Sequence, residues 1–99
     1  PKLYVNPDFP IEFDKIIMNP PFSKQQDVKH IFQAFDILKK GGRLVSIVSE
    51  SPFFRENKLS QEFRKFLDEN QALVYSLEQG AFKESGTMVK SRMIIVDKP

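Results

Sequence analysis

Two successive prolines, Pro20 and Pro21, close the apolar run Ile16-Ile17-Met18, and they set the strongest constraint on how this chain folds. Each proline fixes φ and removes a backbone donor, so neither a helix nor a strand ladder continues through them. The run therefore reads as a short, buried, parallel-type strand, Phe13 to Met18, that ends abruptly at Asn19. Soon after it the hydrophobic period changes. Val28, Ile31, Phe32, Phe35 and Leu38 recur at helical spacing, which predicts an amphipathic helix from Gln25 to Lys40. Ser23 or Asp27 suits its start, Lys39 and Lys40 suit its carboxyl end, and Gly41-Gly42 suits its stop.

The alternation then repeats. Leu44 to Val48 is apolar and rich in β-branched residues, a second strand. Ser51 to Lys58 reads as a loop carrying Phe53-Phe54 and Arg55, and Ser60 to Asn70 as a second amphipathic helix with Leu59, Phe63, Phe66 and Leu67 inward. Ala72 to Leu77 is a third strand, Gly80 to Lys90 a polar loop, and Arg92 to Val96 a fourth strand. Residues 1–12, with three prolines, read as the end of an element followed by a loop. Strand alternating with helix implies an α/β fold around a mostly parallel sheet with right-handed crossovers. The last strand follows a loop and is expected to run antiparallel to a neighbour.

Composition removes several function classes. The chain has 99 residues, enough for one small domain or part of a larger one. It has no cysteine, which excludes a disulfide scaffold, a thiolate metal site and a cysteine nucleophile; with a single histidine, His30, no metal site is expected. The net charge of +2 gives no strong basic field, so any nucleic-acid contact must come from a local patch. No apolar run approaches the roughly 20 residues that span a bilayer. No membrane partner and a cytoplasmic setting are the expectation. The first residue is Pro1, which suggests an excised piece of a longer protein.

In an open α/β sheet, ligands sit just outside the carboxyl ends of the strands. Asn19-Pro20-Pro21-Phe22 occupies such an end. The prolines make a stiff loop that offers carbonyls but few competing N–H groups. The Asn19 side-chain carbonyl and the Pro20 backbone carbonyl are two acceptors, able to bind both protons of one –NH₂ group. Phe22 offers a flat face on which a base can stack. This set suits methyl transfer to an exocyclic amine, whose lone pair is delocalised into its ring. Accepting both of its hydrogen bonds favours a pyramidal nitrogen, and catalysis then rests on positioning and electrostatics. The base must leave the duplex to reach such a pocket. On spacing alone a purely structural role stays open, because Pro-Pro is also a common loop breaker and the phenylalanine after it is often core.

The Asn-Pro-Pro-Phe run after an apolar strand resembles the catalytic motif of the S-adenosylmethionine-dependent amino-methyltransferases, which include adenine-specific DNA enzymes, ribosomal RNA enzymes and protein-glutamine enzymes. Leu38-Lys39-Lys40-Gly41-Gly42-Arg43-Leu44 resembles the family's crossover into its fifth strand. Ser49 to Phe54, the loop Gly80 to Thr87 and the strand Arg92 to Val96 resemble later segments of adenine methyltransferases of phages and mobile elements. The resemblance implies a partial Rossmann-like class I methyltransferase fold, with residues 1–99 as the carboxyl-terminal half of the catalytic domain. It implies that Asn19 and Pro20, stiffened by Pro21, bind the amine, and that Phe22 stacks on the base. Phe53, Phe82, Lys83, Ser85 and Thr87 would help hold the substrate. Asp8-Phe9 resembles the acidic-aromatic pair that contacts the cofactor's adenine, although such a pair before a proline is also ordinary loop.

The resemblance makes S-adenosyl-L-methionine the cofactor and adenine in DNA the expected acceptor, in a restriction-modification type of enzyme. RNA, a protein glutamine, or a non-catalytic binding and assembly module are the alternatives. The family's first strand and its glycine-rich cofactor loop are absent, and Gly41-Gly42 ends a helix instead of opening one. The chain alone is therefore expected to bind the cofactor weakly and to lack activity without its amino-terminal half. Its first strand would present an open edge, which invites dimerisation of the isolated piece. Phe32, Phe35, Phe63 and Phe66 read as core. Phe53 and Phe54 read equally as pocket lining or core. Arg55, Lys58, Lys83, Lys90 and Arg92 are candidate phosphate contacts or solvated surface. His30 and the pair Asp68-Glu69 read as exposed helix residues.

Overall fold

The computed structural model describes residues 13–77 and 90–99. In chain order they form β1 (Phe13–Met18), a single 3-10 turn (Ser23–Gln25), α1 (Gln26–Asp36), β2 (Leu38–Ser49), a second such turn (Ser51–Phe53), α2 (Lys58–Glu69), β3 (Leu73–Leu77) and β4 (Ser91–Asp97). The strands make one mixed sheet in the order β1-β2-β4-β3. β1 lies parallel to β2, and β4 runs antiparallel to both β2 and β3. Three strands thus share one direction and the last opposes them, as the alternation of elements predicts.

The period-two pattern of β2 decides where the core lies. Leu44 and Val48 are fully buried, and the cross-strand partner of Leu44 is the equally buried Val96. These side chains meet Val28, Ile31 and Ala34 of α1 and Phe63 and Leu67 of α2 in one cluster. Both helices therefore cover the same face of the sheet. Burying each large side chain there contributes about 1.5–3 kcal/mol. A seam of aromatic rings joins the helices: Phe66 meets Phe32 edge-on at 5.2 Å and Phe35 at 4.9 Å. The core reading of these phenylalanines holds, with Phe63 fully buried and Phe32, Phe35 and Phe66 packed partly buried against the cluster. His30 is half-buried and not exposed.

The opposite face has no helix over it among the described residues. Ile17 on β1 is 82% exposed, and Leu73 and Tyr75 on β3 are about half exposed. This corrects the expectation of a buried first strand. β1 is parallel, as its composition predicts, but it sits at the sheet edge with one face open, so its alternate side chains reach solvent.

The first helix and second strand also divide differently from expectation. The apolar period predicts helix to Lys40, yet α1 ends at Asp36, and Leu38 already pairs with Phe13 of β1. Leu38 is 1% exposed, so its apolar stripe position is satisfied by the sheet end instead of by the helix. The helix terminus takes its cation from far along the chain. Lys98 Nζ donates to the Phe35 carbonyl at 2.9 Å, the role expected of Lys39 and Lys40. The amino end differs too, because neither Ser23 nor Asp27 caps it.

Gly41 and Gly42 lie inside β2, where the register against β1 slips. Gly41 has φ +81°, a left-handed value that L side chains rarely adopt. A Cβ on Gly42 would stand 2.8 Å from the Asp14 carbonyl oxygen and 2.8 Å from that of Lys39. Both obstacles are backbone, so Gly42→Ala is expected to push β1 away from β2 and to cost about 1–3 kcal/mol as an overpacked contact. Thermal unfolding checks this, and a variant as stable as the parent would show that the two strands separate freely here.

Candidate active site

The site is built from the carboxyl end of β1 upward. The parallel ladder carries Ile16, Ile17 and Met18 alongside Leu44, Val45 and Ser46 of β2, and the chain leaves the sheet at Asn19. There the burial alternates sharply: Asn19 is exposed, Pro20 is buried, Pro21 is exposed and Phe22 is half-buried. Pro20 anchors the corner while Asn19 reaches solvent, and no partner among the described residues engages the Asn19 amide. The corner lies at the carboxyl end of β1, the end of the sheet where open α/β folds bind ligands.

The turn after the corner carries no signal in the sequence. Lys24 (φ 55°) and Gln25 (φ 59°) both adopt the left-handed region, although neither is glycine. Such residues cost about 1–3 kcal/mol each and persist only where the surroundings over-determine them. Here the surroundings are hydrogen bonds. The Gln25 backbone N–H donates to the Phe22 carbonyl at 3.2 Å. Its side chain, 8% exposed, donates from Nε2 to Ser60 Oγ at 2.7 Å and accepts at Oε1 from Asn57 Nδ2 at 2.6 Å. Asn57 also caps α2, its Oδ1 accepting from the Ser60 N–H at 3.3 Å. An asparagine just before a helical period is a cap signal, so Asn57 was legible; nothing in the sequence marks Gln25.

Asp27 replaces its expected capping role with a different tie. It is fully buried in the first turn of α1, and its Oδ2 accepts from both the backbone N–H and the hydroxyl of Ser49, at 2.9 and 2.7 Å. Its other oxygen has no partner among the described residues. Through Gln25 and Asp27, the segment after β1 is fastened both to α2 and to the carboxyl end of β2.

The neighbouring residues arrange themselves around β2 and β4. Arg92 forms a two-pronged pair with Glu50, both contacts at 3.0 Å, and its guanidinium lies 4.2 Å from the centre of the Phe53 ring. Phe53 also meets Phe63 edge-on at 5.8 Å, whereas Phe54 is 64% exposed. Arg92 is thus engaged within the fold, while Arg55 and Lys90 stand exposed. A cavity of about 290 Å³ lies beside Phe53, Arg64, Leu67 and Arg92, and one of about 300 Å³ near Asn70, Leu73 and Lys98; neither is lined by residues 19–22. The candidates Asp8, Phe9, Phe82, Lys83, Ser85 and Thr87 lie outside the described residues.

A family model described as "Methyltransferase small domain" matches residues 5–77, which include the whole corner and both helices. The chain belongs to this methyltransferase family. No curated protein matches it. Among solved structures, the methyltransferase domain is similar to the methyltransferase subunit of a type I restriction-modification system from Streptococcus thermophilus, with a TM-score of 0.74 and 23% identity over 90% of this chain and 24% of that one. It is similar to the M protein of the type I restriction enzyme EcoKI, with a TM-score of 0.71 and 18% identity over 89% of this chain and 21% of that one. It is also similar to a protein described as a class I S-adenosylmethionine-dependent methyltransferase from Listeria monocytogenes, with a TM-score of 0.61 and 18% identity over 89% of this chain and 32% of that one. These likenesses establish the fold as that of the class I methyltransferases. The methyltransferase domain spans at most a third of the length of each of these chains.

Membership implies S-adenosylmethionine as the methyl source. The described residues hold no cradle for it: the adjacent glycines, Gly41 and Gly42, lie within a strand and open no helix. At the corner itself Asn19 is exposed and Phe22 half-buried, with the buried Pro20 between them. No helix among the described residues is long and apolar enough to cross a membrane.

Proposed function

We propose that the protein, at its full natural length, methylates the exocyclic amino group of adenine in DNA, in the cytoplasm, as part of a restriction-modification type of enzyme. Residues 1–99 are then the carboxyl-terminal half of the catalytic domain, and the cofactor-binding half precedes them. The observation that carries the reading is the Asn19-Pro20-Pro21-Phe22 corner: an exposed amide on a buried proline at the carboxyl end of β1. The similarity to type I restriction-modification methyltransferase subunits favours DNA over the other acceptors.

When bound, S-adenosylmethionine supplies an electrophilic methyl group. The chain's own residues act on the acceptor. Asn19 Oδ1 and the Pro20 carbonyl accept the two amine N–H groups, which draws the nitrogen out of conjugation and orients its lone pair. Phe22 stacks on the flipped base, with Phe53 and the loop residues Phe82, Lys83, Ser85 and Thr87 at its flanks, and Asp8-Phe9 contacts the cofactor's adenine. The nitrogen would gain the methyl group as that group's bond to its donor sulfur breaks, the surplus amine proton would pass to water, and no covalent bond to the protein would form. Pro20 and Pro21 keep the corner from refolding around its own N–H groups.

Transfer of labelled methyl by the full-length protein to DNA, ribosomal RNA and total protein tests the acceptor class. Label on N6 of adenine in DNA is expected. Label confined to RNA or to protein glutamine would replace the DNA assignment, and no label on any of them would leave a binding module.

A further inference from the structure

We propose that Gln25 is a positioning residue for methyl transfer, hooking the Asn19–Phe22 corner to the start of α2. This rests on the reading of that corner as the amine-binding site. Three observations point to it. Gln25 follows Phe22 by one strained turn and is tied back to it through the Phe22 carbonyl. Two consecutive non-glycine residues hold left-handed φ values there, a shape a free loop would not keep. The Gln25 side chain is buried and closes a ring of hydrogen bonds with Asn57 and Ser60, residues at the start of α2 that follow β2 in the chain.

The chemistry explains the choice of residue. A glutamine amide offers a donor and an acceptor on one stiff plane, so a single side chain satisfies both the Asn57 Nδ2 donor and the Ser60 Oγ acceptor. Cutting either bond leaves a buried polar group unpaired and releases the strained turn. The corner would then relax, and Asn19 and Pro20 would no longer converge on one amine. Loss of convergence lowers the rate of the bound complex more than the binding of DNA.

Three substitutions in the full-length protein separate positioning from stability. Gln25→Gly adopts the left-handed φ without strain and deletes only the hook. Asn57→Ser keeps an acceptor for the α2 cap but is too short to reach Gln25 Oε1. Gln25→Glu keeps the acceptor for Asn57 while the Ser60 hydroxyl turns to donate. Gln25→Gly and Asn57→Ser are expected to lower kcat by about 10- to 100-fold, as small displacements of reacting groups do, with KM for DNA and the thermal midpoint little changed. Gln25→Glu is expected to restore most of the rate. If Asn19→Ala stops transfer while Gln25→Gly and Asn57→Ser keep the parent kcat, the hook has no part in catalysis, and the amine-binding reading stands without it. If kcat falls only together with the thermal midpoint, or Gln25→Glu restores nothing, the role is structural and the proposal fails. If Asn19→Ala itself leaves transfer intact, the amine-binding reading and the positioning role fall together.

Discussion

Asn19→Ala in the full-length protein is expected to lower kcat for methyl transfer by about two to three orders of magnitude, the cost typical of deleting one hydrogen-bonding group aimed at a developing charge. The amine nitrogen of adenine shares its lone pair with the ring, and it becomes nucleophilic as its hydrogens are drawn out of the ring plane by acceptors. On the proposed reading Asn19 and Pro20 supply those acceptors, and only Asn19 supplies one through a side chain. Its exposed position, with no engagement among the described residues, also means that stability should not change. Surface substitutions of this kind stay within about 0.5 kcal/mol. A large loss of rate at an unchanged thermal midpoint is therefore the expected signature. Asn19→Asp, which keeps an acceptor oxygen, should retain more activity than Asn19→Ala. An Asn19→Ala protein with the parent kcat would remove the amine-binding corner from the mechanism.

The largest effect on stability is expected at Phe63. Its ring is fully buried and meets Phe32 at 6.3 Å, Phe53 at 5.8 Å and Phe66 at 6.4 Å. It is the point at which α2, α1 and the segment after β2 are held together. Phe63→Ala removes the transfer energy of the ring and leaves a cavity that three neighbouring rings, themselves fixed, fill poorly. The expected loss is about 3–5 kcal/mol. A domain of this size has about 5–15 kcal/mol in total, so the variant should be largely unfolded well below the parent's midpoint. Phe54→Ala, at a ring 64% exposed, is the control and should change stability little. Urea unfolding of both variants measures the difference. If Phe63→Ala matched Phe54→Ala, the aromatic seam would not be the centre of the core.

The electrostatics add little to either effect. The Arg43 guanidinium, hydrogen-bonded to Asp97 at 2.7 and 3.0 Å, holds that carboxyl below its ordinary range. The pair is exposed and joins β2 to β4 at the end of the sheet away from the corner. Exposed pairs of this kind contribute little to stability, because solvent screens both charges.

The order of elements, the direction of the strands and the corner that ends β1 all came from local features. Pro20-Pro21 can end a strand without any help from the rest of the protein, because the restriction is in the residues' own covalent geometry. The spacing of Val28, Ile31 and Phe35, and of Phe63, Phe66 and Leu67, similarly states which faces must be buried. What local features could not state is where each face finds its partner. Leu38 fits the helical stripe, yet it joins the strand, because the sheet end offers it a buried position and Gly42 lets β1 pass close by. The end of α1 takes Lys98, a residue 63 positions from Phe35, in place of the adjacent lysines. The left-handed turn at Lys24 and Gln25 exists only because Asn57 and Ser60 arrive from beyond β2 to hold it. Backbone strain and long-range hydrogen bonds depend on which segments meet in space. The tertiary structure alone therefore decided how the corner is held, while the sequence already determined that there is a corner and which groups, an amide, two prolines and an aromatic ring, stand on it.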